Sequence, residues 1–182
     1  MEAIQLPPKR KTQEDGRFER CEAQIREALC ISLMQRQTIK IGDFCKMAHI
    51  SRTTFYAHHK SYGDALRKYE LDLKQNFNER INYNKVGKEV VFTILLSFIY
   101  DERMYFSATI PNSNYWLLNE IFTSLRPSLA EVGTDNRRYE FYTQEQIGII
   151  CCWVKHGEFS SQEIPGYVKI MSTRDLAQKS NS

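Results

Sequence analysis

No part of this sequence is apolar for long enough to cross a bilayer. The longest candidate, residues 90–100, is interrupted by Thr93 and Ser97 and stops at Asp101, whereas a spanning helix needs about 20 apolar residues. No membrane association is expected. Pairable cysteines are lacking too. Cys21, Cys30, Cys45, Cys151 and Cys152 are odd in number and form no CxxC pair. No apolar leader precedes them, because residues 7–11 are polar and basic. Free thiols in a reducing cytoplasm are the expectation. There is no internal repeat, no low-complexity segment, and no convincing strand alternation or hairpin turn. Nor is there a nucleophile–base–acid spacing, a phosphate loop or a paired-carboxylate motif, so neither an enzyme nor a cofactor is expected.

What is present is globular. The 182 residues are 42% hydrophobic and 26% charged, ordinary values for a folded domain, or for a small domain fused to a larger one. The net charge of +3 is unevenly placed. Residues 1–80 carry 15 Lys/Arg against 11 Asp/Glu, and the remainder 10 against 11. A polyanion would meet the basic excess in the first half.

The apolar spacing is helical throughout, which predicts an all-α fold. Thr12 and Asp15 can cap a first helix with Phe18, Cys21, Ile25, Leu29 and Leu33 as its stripe. Ile41, Phe44, Cys45 and Ala48 follow at i, i+3, i+4, i+7, one face of a short helix. Ser51 can cap the next short helix, and Ile50 with Phe55 can form a hydrophobic staple across that cap. Pieces this short need the first helix for support, giving a three-helix unit with a tight turn. Ser61 and Asp64 form a second capping box before Leu66, Tyr69, Leu73 and Phe77. Residues 86–101 read as a central core helix, 111–113 as a break, 116–125 as a helix and 127–136 as a loop. Two stronger helices close the chain, one over about 138–156 and one after a capping box of Ser160 and Glu163. The predicted division is an arm with a DNA-binding head over 1–61 and a connecting helix with a larger body over 62–182.

Residues 41–56, from Ile41-Gly42-Asp43-Phe44 through His49-Ile50-Ser51 to Arg52-Thr53-Thr54-Phe55-Tyr56, resemble the helix-turn-helix of TetR-type regulators. Lys60 to Leu66 resembles the start of that family's fourth helix, and residues 148–160, with Trp153 and Gly157-Glu158-Phe159-Ser160, its second-last helix and following turn. The likeness covers about 17–73 well and 139–171 loosely, and 86–136 is unmatched. Three positions depart from the pattern. His49 stands at the usual turn glycine, His59 at an apolar aromatic and Tyr62 at a lysine.

A recognition helix exposes short polar side chains at its N-terminal end to base edges. Arg52, Thr53 and Thr54 occupy that end here, with Phe55 turned to the interior. Arg can fork onto guanine and the Thr methyl can meet the thymine methyl. Tyr56, His58 and Lys60, with Lys40 and the arm residues Lys9, Arg10 and Lys11, are placed to reach phosphates. The resemblance implies a cytoplasmic homodimeric repressor on a roughly palindromic operator. Its last two helices would form the interface through Ile149, Ile150, Trp153, Ile164, Val168 and Met171, stripes that look too large for one small body to bury.

Tyr105, Tyr115, Trp116 and Phe122, with Phe106, are aromatic enough to line a site for a small-molecule effector, although core is the commoner role of such residues. The effector's identity, small molecule or protein, stays open. Cys45, His49, His58 and His59 invite a metal reading, but Cys45 sits on the apolar stripe and adjacent histidines point apart on a helix, so no metal is expected. Cys151 and Cys152 could sense oxidants, but their apolar neighbours favour buried thiols. The rival to a DNA regulator is a TetR-like scaffold that serves as a protein-interaction module.

Overall fold

The computed structural model describes residues 13–35, 39–81, 87–129, 136–156 and 159–173. Among these there are nine α-helices and no strand, so the architecture is all-α as the periodicities predict. α1 (Gln13–Met34) buries Cys21, Ile25, Ala28 and Leu29. Thr12, its expected cap, lies outside the described residues. Two members of its expected stripe are not in the core. Phe18 is 50% exposed and Leu33 only half-buried.

α2 (Ile41–Met47) and α3 (Arg52–His58) have seven residues each, too few for an isolated helix to persist. Buried Phe44, Cys45 and Phe55 hold them in the core. α4 (Tyr62–Arg80) starts at Ser61, whose hydroxyl accepts from the Asp64 N–H at 3.1 Å, and the Asp64 carboxylate reaches back to the Lys60 N–H at 2.9 Å. The capping box therefore forms with its return arm one residue upstream. Tyr69, Leu73 and Phe77 are buried as expected, while Leu66 is half-buried.

α5 (Lys88–Asp101) buries Val91, Phe92, Leu95, Leu96, Phe98 and Ile99. At 100° per residue they form one broad apolar face spanning about 160°, and Glu89 and Thr93 are exposed outside it. The chain bends at Glu102 (φ −95°, ψ 28°) into α6 (Arg103–Thr109), a helix the periodicities do not reveal. It is short and has no side-chain cap at its start. α6 lies against α1, and the apolar core continues without a gap from Cys21 to Met171. Head and body thus share one core.

Ile110–Asn112 forms a 3-10 turn, and Ser113 is left-handed at φ 58°, the break expected at 111–113. α7 (Trp116–Leu125), α8 (Asn136–His156) and α9 (Ile164–Thr173) complete the chain. A 3-10 turn, Ser161–Glu163, leads into α9, and the Glu163 carboxylate accepts from the Ser160 N–H at 3.2 Å.

The stripes expected to await a partner are used inside the chain. Ile150, Trp153 and Met171 are fully buried, Ile164 and Val168 nearly so, and Ile149 half-buried. α9 lies chiefly against α5, whose broad apolar face takes up its inner face. The premise that one body could not bury these residues fails for that reason. The cysteine expectation needs correction as well. Cys151 is half-buried and Cys152 exposed, because Gln146, Ile150 and Trp153 take the inward side of α8 and steps of about 100° per residue carry Cys152 to the far side.

Candidate nucleic-acid interface

The α2–α3 turn is built from backbone hydrogen bonds. The Ile50 N–H donates to the Cys45 carbonyl at 3.0 Å and the His49 N–H to the Lys46 carbonyl at 3.1 Å. This is the paired pattern of a Schellman C-cap, which requires a left-handed residue at its centre. His49 takes that role at φ 53°, although a left-handed L-residue costs roughly 1–2 kcal/mol. His49→Gly is therefore expected to raise stability by about 0.5–1 kcal/mol after glycine's greater chain entropy is set against the relief. Chemical denaturation checks this, and a destabilised variant would contradict it.

Ser51 then caps α3, its hydroxyl accepting from the Thr54 N–H at 2.9 Å. The Thr54 hydroxyl lies 2.8 Å from the same oxygen, so Thr54 is half-buried and occupied with the cap. Ile50 is half-buried and packs against the core cluster to which Phe55 belongs. Phe55 meets the Phe44 ring edge-on, 5.6 Å between centroids, which fixes the rotation of α3 relative to α2.

That rotation leaves Arg52, Thr53, Tyr56 and Lys60 exposed, and Lys40 as well, at the N-terminus of α2. The Arg52 guanidinium lies over Gly42 of α2, where an added Cβ would collide with it. Lys9, Arg10 and Lys11 lie outside the described residues.

His58 does not face outward. Its Nδ1 donates to Glu22 Oε1 at 2.8 Å, its ring stacks on Phe18 at 4.3 Å, and only 9% of its side chain is exposed. A phosphate contact from His58 is therefore withdrawn. His59 also turns inward, with Nε2 3.3 Å from the same Glu22 oxygen. The two rings converge because His59 has left the helix (φ −141°, ψ 144°), which removes the angular separation a helix would impose. Lys68 of α4 adds a third contact to Glu22 Oε1 at 3.2 Å.

This hub was not anticipated, though a signal for it exists: Glu22 occupies a helical-spacing position between Phe18 and Ile25 on the inner side of α1. Burial works to raise the Glu22 pKa, but hydrogen bonds from His58 and Lys68 outweigh it and hold the carboxyl below its ordinary range. No group of three or more candidate ligands placed to hold a metal ion occurs among the described residues.

A family model described as the Mga helix-turn-helix domain matches residues 22–100. The match begins within α1, spans α2, α3 and α4, and ends within α5. The chain carries a helix-turn-helix domain of the DNA-binding regulators. No curated protein and no solved structure matches it. Within the matched residues α2 and α3 flank the tight turn, and α4 follows α3. No helix among the described residues is long and apolar enough to cross a membrane.

The four aromatics considered for an effector site are not brought together as one lining. Tyr105 is buried, its hydroxyl donating to Glu70 Oε1 at 2.9 Å, and Phe122 is fully buried. Both serve as core. Tyr115 and Trp116 are half-buried, and the Arg67 guanidinium lies 4.9 Å from the Trp116 ring centre. A groove of ≈ 980 Å³ opens elsewhere, between α1, α4 and the α5–α6 bend, and none of the four lines it.

Proposed function

We propose that this protein is a cytoplasmic, homodimeric repressor of the TetR type, acting by binding rather than catalysis and reading a roughly palindromic operator. The observation that carries the reading is the first turn of α3, where Arg52 and Thr53 are exposed on a helix held rigid behind by Phe55. Arg52 and Thr53 read base edges, with the Thr54 methyl beside them, while Lys40, Tyr56 and Lys60 meet phosphates. The inner stripes of α8 and α9 being committed to the core, a second copy would use the outer face. That face carries Phe141 (67% exposed), Gly148 and Cys152 on α8 and Ile170 (43% exposed) on α9. Spacings of 7 and 11 place the three α8 residues on one side of the helix. Two-fold symmetry then presents two heads to equivalent half-sites. An effector, small molecule or protein, would act by favouring a head spacing that does not fit both half-sites.

Selection from random duplex DNA identifies the operator, and variants then separate the roles. Arg52→Ala and Thr53→Ala are each expected to cost about 1–3 kcal/mol on the operator and to relax preference at particular positions. Lys60→Ala lowers specific and non-specific affinity together and reduces the salt slope by about 0.9. Tyr56→Phe weakens binding with little change in slope, since only a neutral hydroxyl is lost. Unchanged affinity and preference in folded Arg52→Ala and Thr53→Ala would move the protein-interaction reading to the front. A monomer by light scattering at micromolar concentration, bound to a single asymmetric site, would remove the dimer.

A further inference from the structure

One carboxylate oxygen ties three helices together at the back of the recognition helix. Glu22 Oε1 on α1 accepts from His58 at the end of α3 at 2.8 Å and from Lys68 on α4 at 3.2 Å. Beside it lies His59, with 2% of its side chain exposed and neither ring nitrogen hydrogen-bonded. We propose that Glu22 is a positioning residue for DNA reading and that buried His59 makes this positioning proton-sensitive, so that acid releases α3 from α4 and weakens operator binding. The DNA-binding part rests on the function proposed above.

The groups facing His59 are Glu22 from α1, His58 next to it, and Lys68 and Asp64 from α4. Burial is the largest influence and depresses the imidazole pKa, in spite of the attraction of Glu22. At neutral pH the ring is therefore uncharged, and Glu22 is left to His58 and Lys68. A proton on His59 places a buried cation beside the half-exposed Lys68 ammonium. The charged ring must then either take Glu22 for itself or move out to water. In the first case Lys68 or His58 loses its partner, and in the second the C-terminal end of α3 comes away.

The sign follows from proton linkage. The closed arrangement binds fewer protons than the released one, so release gains as pH falls below the ordinary histidine value of about 6.5. One proton gives at most about a tenfold effect per pH unit. Histidines lying against phosphates would do the opposite and strengthen binding in acid.

The test uses the full chain at constant ionic strength, from about pH 8 to about pH 5.5. Operator and unrelated duplexes are titrated by fluorescence anisotropy, and amide exchange over residues 62–68 is followed without DNA. Wild type is expected to lose operator affinity by up to about tenfold per pH unit below about 6.5, while exchange over 62–68 quickens in the same range. His59→Phe is expected to flatten both profiles. Glu22→Gln is expected to bind the operator more weakly at every pH and to show fast exchange with no further response to acid. Flat or rising affinity together with unchanged exchange in wild type would overturn the proposal, as would an acid loss retained in His59→Phe. If no duplex binds at any pH, the proposed function fails, and the exchange profiles alone decide whether the catch exists. Should His59→Phe not fold, wild type against Glu22→Gln decides.

Discussion

Phe55→Ala is expected to abolish operator binding without removing any group that touches DNA. Phe55 is fully buried, edge-on to Phe44 at 5.6 Å and beside the His59 ring at 5.7 Å. It is the one buried side chain of the seven-residue α3. A helix this short is held by its anchor rather than by its own hydrogen bonds. Truncating a buried Phe costs about 3–5 kcal/mol, a large share of the about 5–15 kcal/mol that holds a domain folded. The loss falls on the α2–α3 unit first, because Phe44 of α2 then faces a void. Amide exchange over 41–58 should approach that of a free peptide while α8 stays protected. Full operator affinity in Phe55→Ala would show that α3 does not need this anchor.

Trp153→Ala is expected to cost a similar 3–5 kcal/mol, but at the other end of the molecule. The Trp153 ring is fully buried, meets Phe159 edge-on at 4.9 Å, and its Nε1 donates to Glu163 Oε2 at 3.1 Å. The same carboxylate oxygen accepts from the Ser160 N–H. One side chain thus joins α8 to the turn that starts α9. The turn is strained, since Phe159 sits at φ 46°, and it needs such support to persist. Without it α9 loosens from α5 and uncovers the apolar face of that helix. Denaturant unfolding should show the midpoint shift, and exchange should rise in α9 before α1. Trp153→Phe, which keeps most of the ring volume and loses the hydrogen bond, separates the two contributions. Wild-type stability in Trp153→Ala would rule out this role.

The head was largely legible before any coordinates. Ser51 caps α3, Phe55 buries its inner side, and His49 takes the left-handed turn position, each from signals lying within a few residues of one another. The interior of the body was less legible. α6 escaped notice because it offers two turns, no cap and a start on the bend at Glu102. Sequence position alone places His58 outward. The partner that turns it inward, Glu22, lies 36 residues away, and no periodicity in either segment specifies that meeting.

The sequence by itself determined the helical class, the α2–α3 unit and the break at 111–113. Caps, turns and apolar periods act over one or two turns of chain, and their hydrogen bonds close locally. Only the tertiary structure decided which side of each helix the core would take and which polar groups would meet inside it. Ile150 and Met171 look alike on paper whether they await a partner or a core, and the broad apolar face of α5 settles the matter by lying against α9. Glu22, His58, His59 and Lys68 are likewise unremarkable one at a time. They converge only when three helices have fixed their rotations, because each residue turns a helix face by about 100° and a charge is brought indoors only where its partner already waits.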